Sequence, residues 1–347
     1  MNQAQRQQAG ILGCGHSLPQ HVRRNDDPVF AGMDRSRNPQ GIYQSHLFRG
    51  LDRRYYLKPG ESLTELMAES CRRALAAADL EPAAVDRLYG YATAPRYLTP
   101  NPLYELHHLL GLRPDAAVMP INTEFTNFIS GLIQASEAIN SGTAQHCLVA
   151  VGNNWSQHLD YTQGHATSVG DAAGSVIVGP SPTFAIIDHA SRTLSSNYHA
   201  LTLGVRPIEL TGRSYLPVDP ATLLPLATID INQSGVEALG SVIKDGLPEL
   251  VRTLLDRNGI RPDETMLITH QGIRPLLDHW RERIQPKEHL ETLALFGNLI
   301  TATYPVNLSH FFDQISTEYL VMAGIGAGMH ITGVVLRRTT GDSAALP

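Results

Sequence analysis

The feature that most constrains this chain is a pattern that occurs twice. Leu80-Glu81-Pro82 closes an apolar helical stretch and leads into a strand, Arg87-Leu88-Tyr89-Gly90-Tyr91-Ala92-Thr93. Ile260-Arg261-Pro262 likewise follows a helix ending over Leu250 to Asn258 and leads into Thr265-Met266-Leu267-Ile268-Thr269-His270. The two patterns lie 180 residues apart (262 minus 82). A second pair, Leu148-Val149-Ala150-Val151-Gly152 and Leu320-Val321-Met322-Ala323-Gly324, lies 172 apart (320 minus 148). Offsets this similar imply an internal duplication, with halves 1–180 and 181–347 meeting near Gly179-Pro180-Ser181-Pro182. Because strands alternate with helices in each half, the sheet is expected to be parallel or mixed, in an α/β fold.

Other elements fit this plan. A first strand is read at Gly10-Ile11-Leu12-Gly13-Cys14-Gly15, running into a turn at Leu18-Pro19. Residues 20–50 are polar, Arg-rich and aperiodic, which reads as a long surface segment or cap. Ser62-Leu63-Thr64-Glu65 has capping-box form, and Leu63, Met67, Cys71, Ala74, Leu75 and Ala78 keep one helical face apolar. A helix from Leu103 to Leu110 follows. A polar corner at Asn122-Thr123-Glu124 then opens another helix, which ends at Asn140-Ser141-Gly142.

Composition removes several function classes. With 347 residues, 42% of them hydrophobic, the chain can bury a sizeable core. A net charge of −6 and clusters of Lys and Arg no larger than pairs leave no footprint for nucleic acid. No stretch approaches ~18 uncharged apolar residues, and MNQAQRQQAG has no hydrophobic signal core. Membrane insertion and secretion are therefore not expected, and a cytoplasmic protein is. Cys14, Cys71 and Cys147 are odd in number and lack CxxC spacing, so they read as small core residues. Despite 15 histidines no HExxH-type spacing exists, and neither a metal nor another cofactor is expected.

Ligands of open α/β sheets gather beyond the carboxyl ends of strands. Three such ends stand out: Thr269-His270-Gln271, Phe296-Gly297-Asn298 and Gly324-Ile325-Gly326-Ala327-Gly328. His270 is either an edge-of-core histidine or a hydrogen-bond donor or base near neutral pH. Asn298 is either a turn residue or an amide placed to polarise a carbonyl oxygen. The GxGxG run is followed by Met329 to Leu336, which reads as a strand, whereas a dinucleotide site requires a helix. Closely approaching backbone with a free amide for an oxyanion, at Gly326, suits it better.

In this order and spacing, the features resemble the thiolase superfamily, and most closely its ketoacyl-acyl-carrier-protein synthase III branch. The resemblance rests on Gly10 to Pro19, Gly50-Leu51-Asp52-Arg53-Arg54, Ser168-Val169-Gly170-Asp171-Ala172-Ala173-Gly174, His270-Gln271, Gly297-Asn298 and Gly324 to Gly328. It implies a five-layered αβαβα fold from two related halves, usually a homodimer, acting on acyl groups carried as thioesters on coenzyme A or acyl carrier protein. It also implies an acyltransferase of fatty acid or polyketide biosynthesis, in which a cysteine at a helix amino end takes the acyl group while His270 and Asn298 assist. Arg49 and Ile325 are expected to contact the substrate.

Here the chain departs from the family. Counting back from Ser141-Gly142 puts Phe125 at the nucleophile position, and no register supplies a cysteine. Phenylalanine cannot be acylated, so the ping-pong condensation should be absent. One expectation is acyl transfer by a non-cysteine mechanism, in specialised metabolism. Thr126 would be the nucleophile, or a helix N-cap; Glu124, desolvated beside Phe125, would have a raised pKa suited to acid or base work, or would simply complement the helix dipole. Another is a non-catalytic subunit paired with a cysteine-bearing paralogue. A third is decarboxylation of malonyl-type thioesters. Gln44 and Phe48, with Arg49 adjacent, stand where the family clasps adenine, which favours carrier-protein delivery.

Overall fold

The computed structural model describes residues 8–33, 48–95, 97, 99–162, 164–204, 208–210, 213–215, 228–231, 237 and 239–339. Ten strands build the main sheet. Five precede residue 180: β1 (Gly10–Ser17), β2 (Arg87–Ala92), β3 (Ala117–Pro120), β4 (Cys147–Asn153) and β5 (Ala172–Gly179). Five follow it: β6 (Phe184–Thr193), β7 (Thr265–Thr269), β8 (Glu288–His289), β9 (Tyr319–Gly326) and β10 (His330–Arg338). Their order is β3-β2-β4-β5-β1-β6-β10-β9-β7-β8. Reading outward from the centre, each set of five runs in the same succession. β2 is parallel to β3 and β4, and β7 to β8 and β9, while β5 and β10 run antiparallel to their neighbours. The two sets meet at a narrow seam, where β1 and β6 pair only at Gly10–Ala185 and Ile11–Phe184.

Among the described residues, the helices of nine residues or more complete the layers: α1 (Leu63–Ala77), α2 (Pro102–Leu110), α3 (Asn127–Asn140), α4 (Gly246–Asn258), α5 (Arg274–Ile284) and α6 (Thr303–Phe311). α1 and α2 pack on β1, β2, β3, β4 and β5. α4 packs on β6, β9 and β10 and against α5. α3 and α6 lie in the middle, touching each other and strands of both sets. Three apolar cores follow from this, one on each side of each β layer: Met67, Leu88 and Leu103 in the first, Phe128, Ile129 and Leu308 in the second, Leu254, Leu267 and Trp280 in the third. The result is the expected αβαβα arrangement, a thiolase-like α/β fold.

Local chemistry sets the element ends. The Ser62 hydroxyl accepts from Glu65 N at 3.3 Å and starts α1. Gly259, at φ 67°, ends α4 in the left-handed conformation and frees the chain for β7. The aperiodic stretch after residue 20 is more structured than its composition suggested. His21–Arg24 pairs with Arg53–Tyr56, and Phe30 is buried. Gln44 lies outside the described residues.

Candidate functional site

The polar corner is a strained turn. After β3, Ile121 N donates to Gly90 O at 2.8 Å, and the chain then reverses through Glu124 (φ 38°) and Phe125 (φ 71°) before α3 begins. Two consecutive non-glycine residues in the left-handed region are sparsely populated and need support from their surroundings. Thr126 holds the N-cap position but makes no capping bond. Its side chain is fully buried, and the hydroxyl donates to Thr123 O at 2.8 Å and lies 2.8 Å from His330 Nε2. A hydroxyl committed in this way is not presented as a nucleophile. Glu124 is exposed, so the desolvation expected for its carboxyl beside Phe125 is absent. The turn directs it to solvent, with its amide donating to Asn122 Oδ1 at 3.3 Å.

Phe125 points into an apolar nest formed by Leu159, Ala166, Val169 and Ile300, with Trp155 and Tyr161 alongside. His270 flanks it, the two rings nearly parallel at 20° with centroids 6.5 Å apart. Alternation along β7 explains this placement. Met266 and Ile268 face the central core and Leu267 the outer one, so His270 falls on the central side. It is 7% exposed, and Nδ1 is buried without a hydrogen-bond partner. Burial pushes its pKa down to about 4, leaving a neutral imidazole at pH 7.

Asn298 adjoins the nest through Val169 and Ile300. Its backbone N donates to Ser168 O at 2.7 Å and its O accepts from Gly170 N at 3.0 Å, bracketing Val169. Asn298 Oδ1 accepts from Ile300 N at 2.9 Å. Gly170 has to be glycine, because a Cβ there would sit 2.4 Å from Phe296 O. Thus two residues of the nest, Val169 and Ile300, are the immediate companions of Asn298.

Supporting residues hold this frame. Arg54 is buried, donates through Nε to Thr167 O and through Nη1 to Asn25 Oδ1 at 2.6 Å, and so secures the loop carrying Ser168 to Asp171. Burial, then the neighbouring Arg23, lowers its pKa to about 10. Asp171, also buried, accepts from Ser156 N at 3.0 Å and Leu57 N at 2.9 Å; burial outweighs these donors and raises its pKa to about 6. Behind His270, Thr269 Oγ1 lies 2.8 Å from His289 Nε2, and Gln271 Oε1 accepts from Thr292 N at 3.0 Å.

Of the glycine run, Gly326 reaches the turn directly: a Cβ there would be 2.2 Å from Glu124 O. Ile325 does not line the site. It packs with Leu247, Leu250 and Leu254 in the outer core, because neighbouring residues of a strand face opposite ways. Arg49 is exposed on a turn whose next residue, Gly50, packs against Arg274. His330 escaped the reading of the sequence. A polar residue opening an apolar strand beside the glycine run was the available signal. Cys14, Cys71 and Cys147 are all buried and free, each pushed up to about 12 by burial.

The model of the 3-oxoacyl-(acyl-carrier-protein) synthase III family matches residues 119–198, and that of its C-terminal part matches residues 255–338. Between them they take in Phe125, the loop to Asp171, His270, Asn298 and the glycine run. The chain is similar to the ketoacyl-acyl-carrier-protein synthase III branch of the thiolase superfamily. It is similar to a beta-ketoacyl-(acyl-carrier-protein) synthase III of Gloeobacter violaceus, 28% identical over 299 residues, covering 83% of this chain and 87% of the relative. It is also similar to the 2-heptyl-4(1H)-quinolone synthase subunit PqsC of Pseudomonas aeruginosa, 25% identical over 337 residues, covering 90% and 92%. In fold it resembles the crystal structure of a 3-oxoacyl-(acyl-carrier-protein) synthase III from Aquifex aeolicus, with a TM-score of 0.78 at 21% identity over 95% of this chain and 99% of that one. No helix among the described residues is long and apolar enough to cross a membrane.

Proposed function

We propose that this synthase III-like protein acts on acyl thioesters, on coenzyme A or a carrier protein, without an acyl-enzyme. Its reaction is the decarboxylation of a malonyl-type thioester. The observation that carries this reading is a neutral His270 stacked on Phe125, with Asn298 bound to Ile300 and bracketing Val169 of the nest that Phe125 packs against. With Thr126 committed and Glu124 in solvent, no replacement nucleophile remains at the turn. Decarboxylation needs none. The bond to the carboxylate breaks, carbon dioxide leaves, and the electron pair passes to the thioester carbonyl as an enolate, which takes a proton from water. An imidazole N–H and an amide N–H donating to the enolate oxygen stabilise that charge as it develops. A backbone amide near Gly326 is the further donor in this scheme.

Two related halves, 1–180 and 181–347, and a homodimer belong to the same proposal, as does a place in specialised metabolism. Delivery by a carrier protein rather than by free coenzyme A is part of it too, resting on Gln44 and Phe48 standing where the family clasps adenine. The test is carbon dioxide release from malonyl-coenzyme A and from a malonyl carrier protein. Release that disappears in His270→Ala and Asn298→Ala supports the reading; no release from either carrier overturns it.

A second reading, a non-catalytic subunit of a heterodimer, is favoured by Phe125 filling the nest and by β3, an exposed strand at one end of the sheet. The relative named as a synthase subunit supports it too. Its signature is co-purification with a cysteine-bearing paralogue and no turnover alone.

A further inference from the structure

We infer that His330 is a positioning residue for the Glu124-Phe125 turn, holding it in its left-handed shape by hydrogen-bond donation from Nε2. The ring belongs to the second half of the chain and the turn to the first. Nε2 lies 3.0 Å from Thr123 O and 2.8 Å from Thr126 Oγ1, the residues on either side of the strained pair. The Thr126 hydroxyl has one proton, and it goes to Thr123 O at 2.8 Å. Thr123 O is a carbonyl and can only accept, so the hydrogen between it and Nε2 is the histidine's. The ring itself opens β10, with Nδ1 3.1 Å from Ala327 O of the β9–β10 hairpin. Gly326 pairs with His330 across that hairpin and touches the turn itself, since a Cβ there would be 2.0 Å from His330 Cε1 and 2.2 Å from Glu124 O. No side chain fits between hairpin and turn.

A turn with two left-handed non-glycine residues relaxes when its neighbours let go. The Thr126 N–H and hydroxyl both reach Thr123 O across the pair, at 3.1 and 2.8 Å, and His330 adds a further tie from outside, from the other half of the chain. Leucine at 330 keeps most of the volume and loses the donor. Glutamine loses the ring and keeps an N–H that can reach Thr123 O. A space-filling role and a donating role therefore predict different rankings.

The test uses a thiol as a reporter of the turn. In Phe125→Cys the new thiol stands at the start of α3, where the helix dipole favours the thiolate. The native cysteines stay silent, being buried with pKa values pushed up to about 12. Iodoacetamide alkylation at pH 7.5, followed by intact-protein mass, reads the rate. Adding His330→Leu is expected to slow it about tenfold or more, and His330→Gln to keep it within about threefold of Phe125→Cys. Equal rates in all three proteins, or equal slowing by Leu and Gln, overturn the inference.

If Phe125→Cys/His330→Leu does not fold, amide exchange over residues 123–127 in the single variants His330→Leu and His330→Gln decides instead. Exchange about tenfold faster in the Leu variant alone supports the inference, and equal protection overturns it. Neither readout involves thioester turnover, so a failure to release carbon dioxide bears on the proposed reaction and leaves this result standing.

Discussion

Replacing His270 by glutamine tests whether the imidazole is as dry as its surroundings make it. In the folded protein its pKa is about 4 against an ordinary 6.5, with burial as the cause. The folded-state pKa is depressed, so protonation favours the unfolded chain. Stability is complete above the unfolded value of 6.5 and is lost as pH falls from there toward 4, below which the loss levels off. At about 1.36 kcal/mol per pH unit, moving from pH 7.5 to pH 4.5 costs about 2.5 kcal/mol through this one group. Spread over an unfolding entropy of about 2.1 cal/mol/K per residue, that is a Tm change of about 3 °C. His16 and His289 are pushed down in the same direction, to about 4 and about 3, and remain in the variant. The informative quantity is therefore the difference of differences. Scanning calorimetry of both proteins at the two pH values should show an acid-induced Tm drop about 3 °C smaller in His270→Gln. Equal drops would mean that His270 is hydrated or charged in the fold, and the neutral donor assigned to the enolate would be lost. The same pKa requires carbon dioxide release to show no inflection from His270 between about pH 5.5 and pH 8.

Gly326→Ala should unfold the turn region or cost about 3 kcal/mol or more in urea denaturation, because its Cβ would overlap Glu124 O and the His330 ring, and backbone cannot be pushed aside cheaply. Asp171→Asn should remove a stability slope of the opposite sign. The Asp171 pKa is raised from 3.8 to about 6, so folding is favoured at low pH and loses stability as pH rises through that window. Comparing the pH 4 to pH 6 slopes of the two proteins checks it, with a constant penalty of about 1–3 kcal/mol expected from setting an amide against the Ser156 and Leu57 donors. None of the three native cysteines should react with maleimide at pH 8 until denaturant is added, since thiols near pKa 12 are only about 10⁻⁴ ionised there.

What was legible in the sequence followed from periodicities. The repeated loop-strand pattern anticipated a sheet whose two sets of five strands run in the same succession outward from the seam. The alternation that carries Met266 and Ile268 to the central core also carries His270 there, beside Phe125. That rule, applied to β9, separates Ile325 from Gly324 and Gly326 and carries it into the outer core, away from the substrate contact expected of it. Glu124 and His330 are a different matter. Whether a carboxyl beside a phenylalanine is dry depends on the direction of a turn set by φ angles at Glu124 and Phe125. The partner of Thr126 is 204 residues away, and only the packing of the hairpin against the turn brings it there.

Both halves approach their central helix through a strained segment. Before α3 it is Glu124-Phe125, and before α6 it runs from Gly297 (φ 76°) to Ile300 (φ 52°). Thr301 Oγ1 donates to Asn127 Oδ1 at 3.0 Å, joining the starts of both helices in the buried interior. Left-handed non-glycine residues cost on the order of 1–3 kcal/mol each, and such strain persists where surrounding structure over-determines it. At Phe125 that structure is complete: His330 and Gly326 on the backbone side, the nest and His270 on the side-chain side. In the proposed reading this is the turn that presents the family's nucleophile, with a ring where a thiol would stand. The same tight support also explains why Glu124 and Thr126 cannot take over the role, for one is turned to solvent and the other is spent bracing the turn. The two proposed readings divide here: in one, chemistry passes through His270 and Asn298 without a covalent intermediate; in the other, it belongs to a partner that brings its own cysteine.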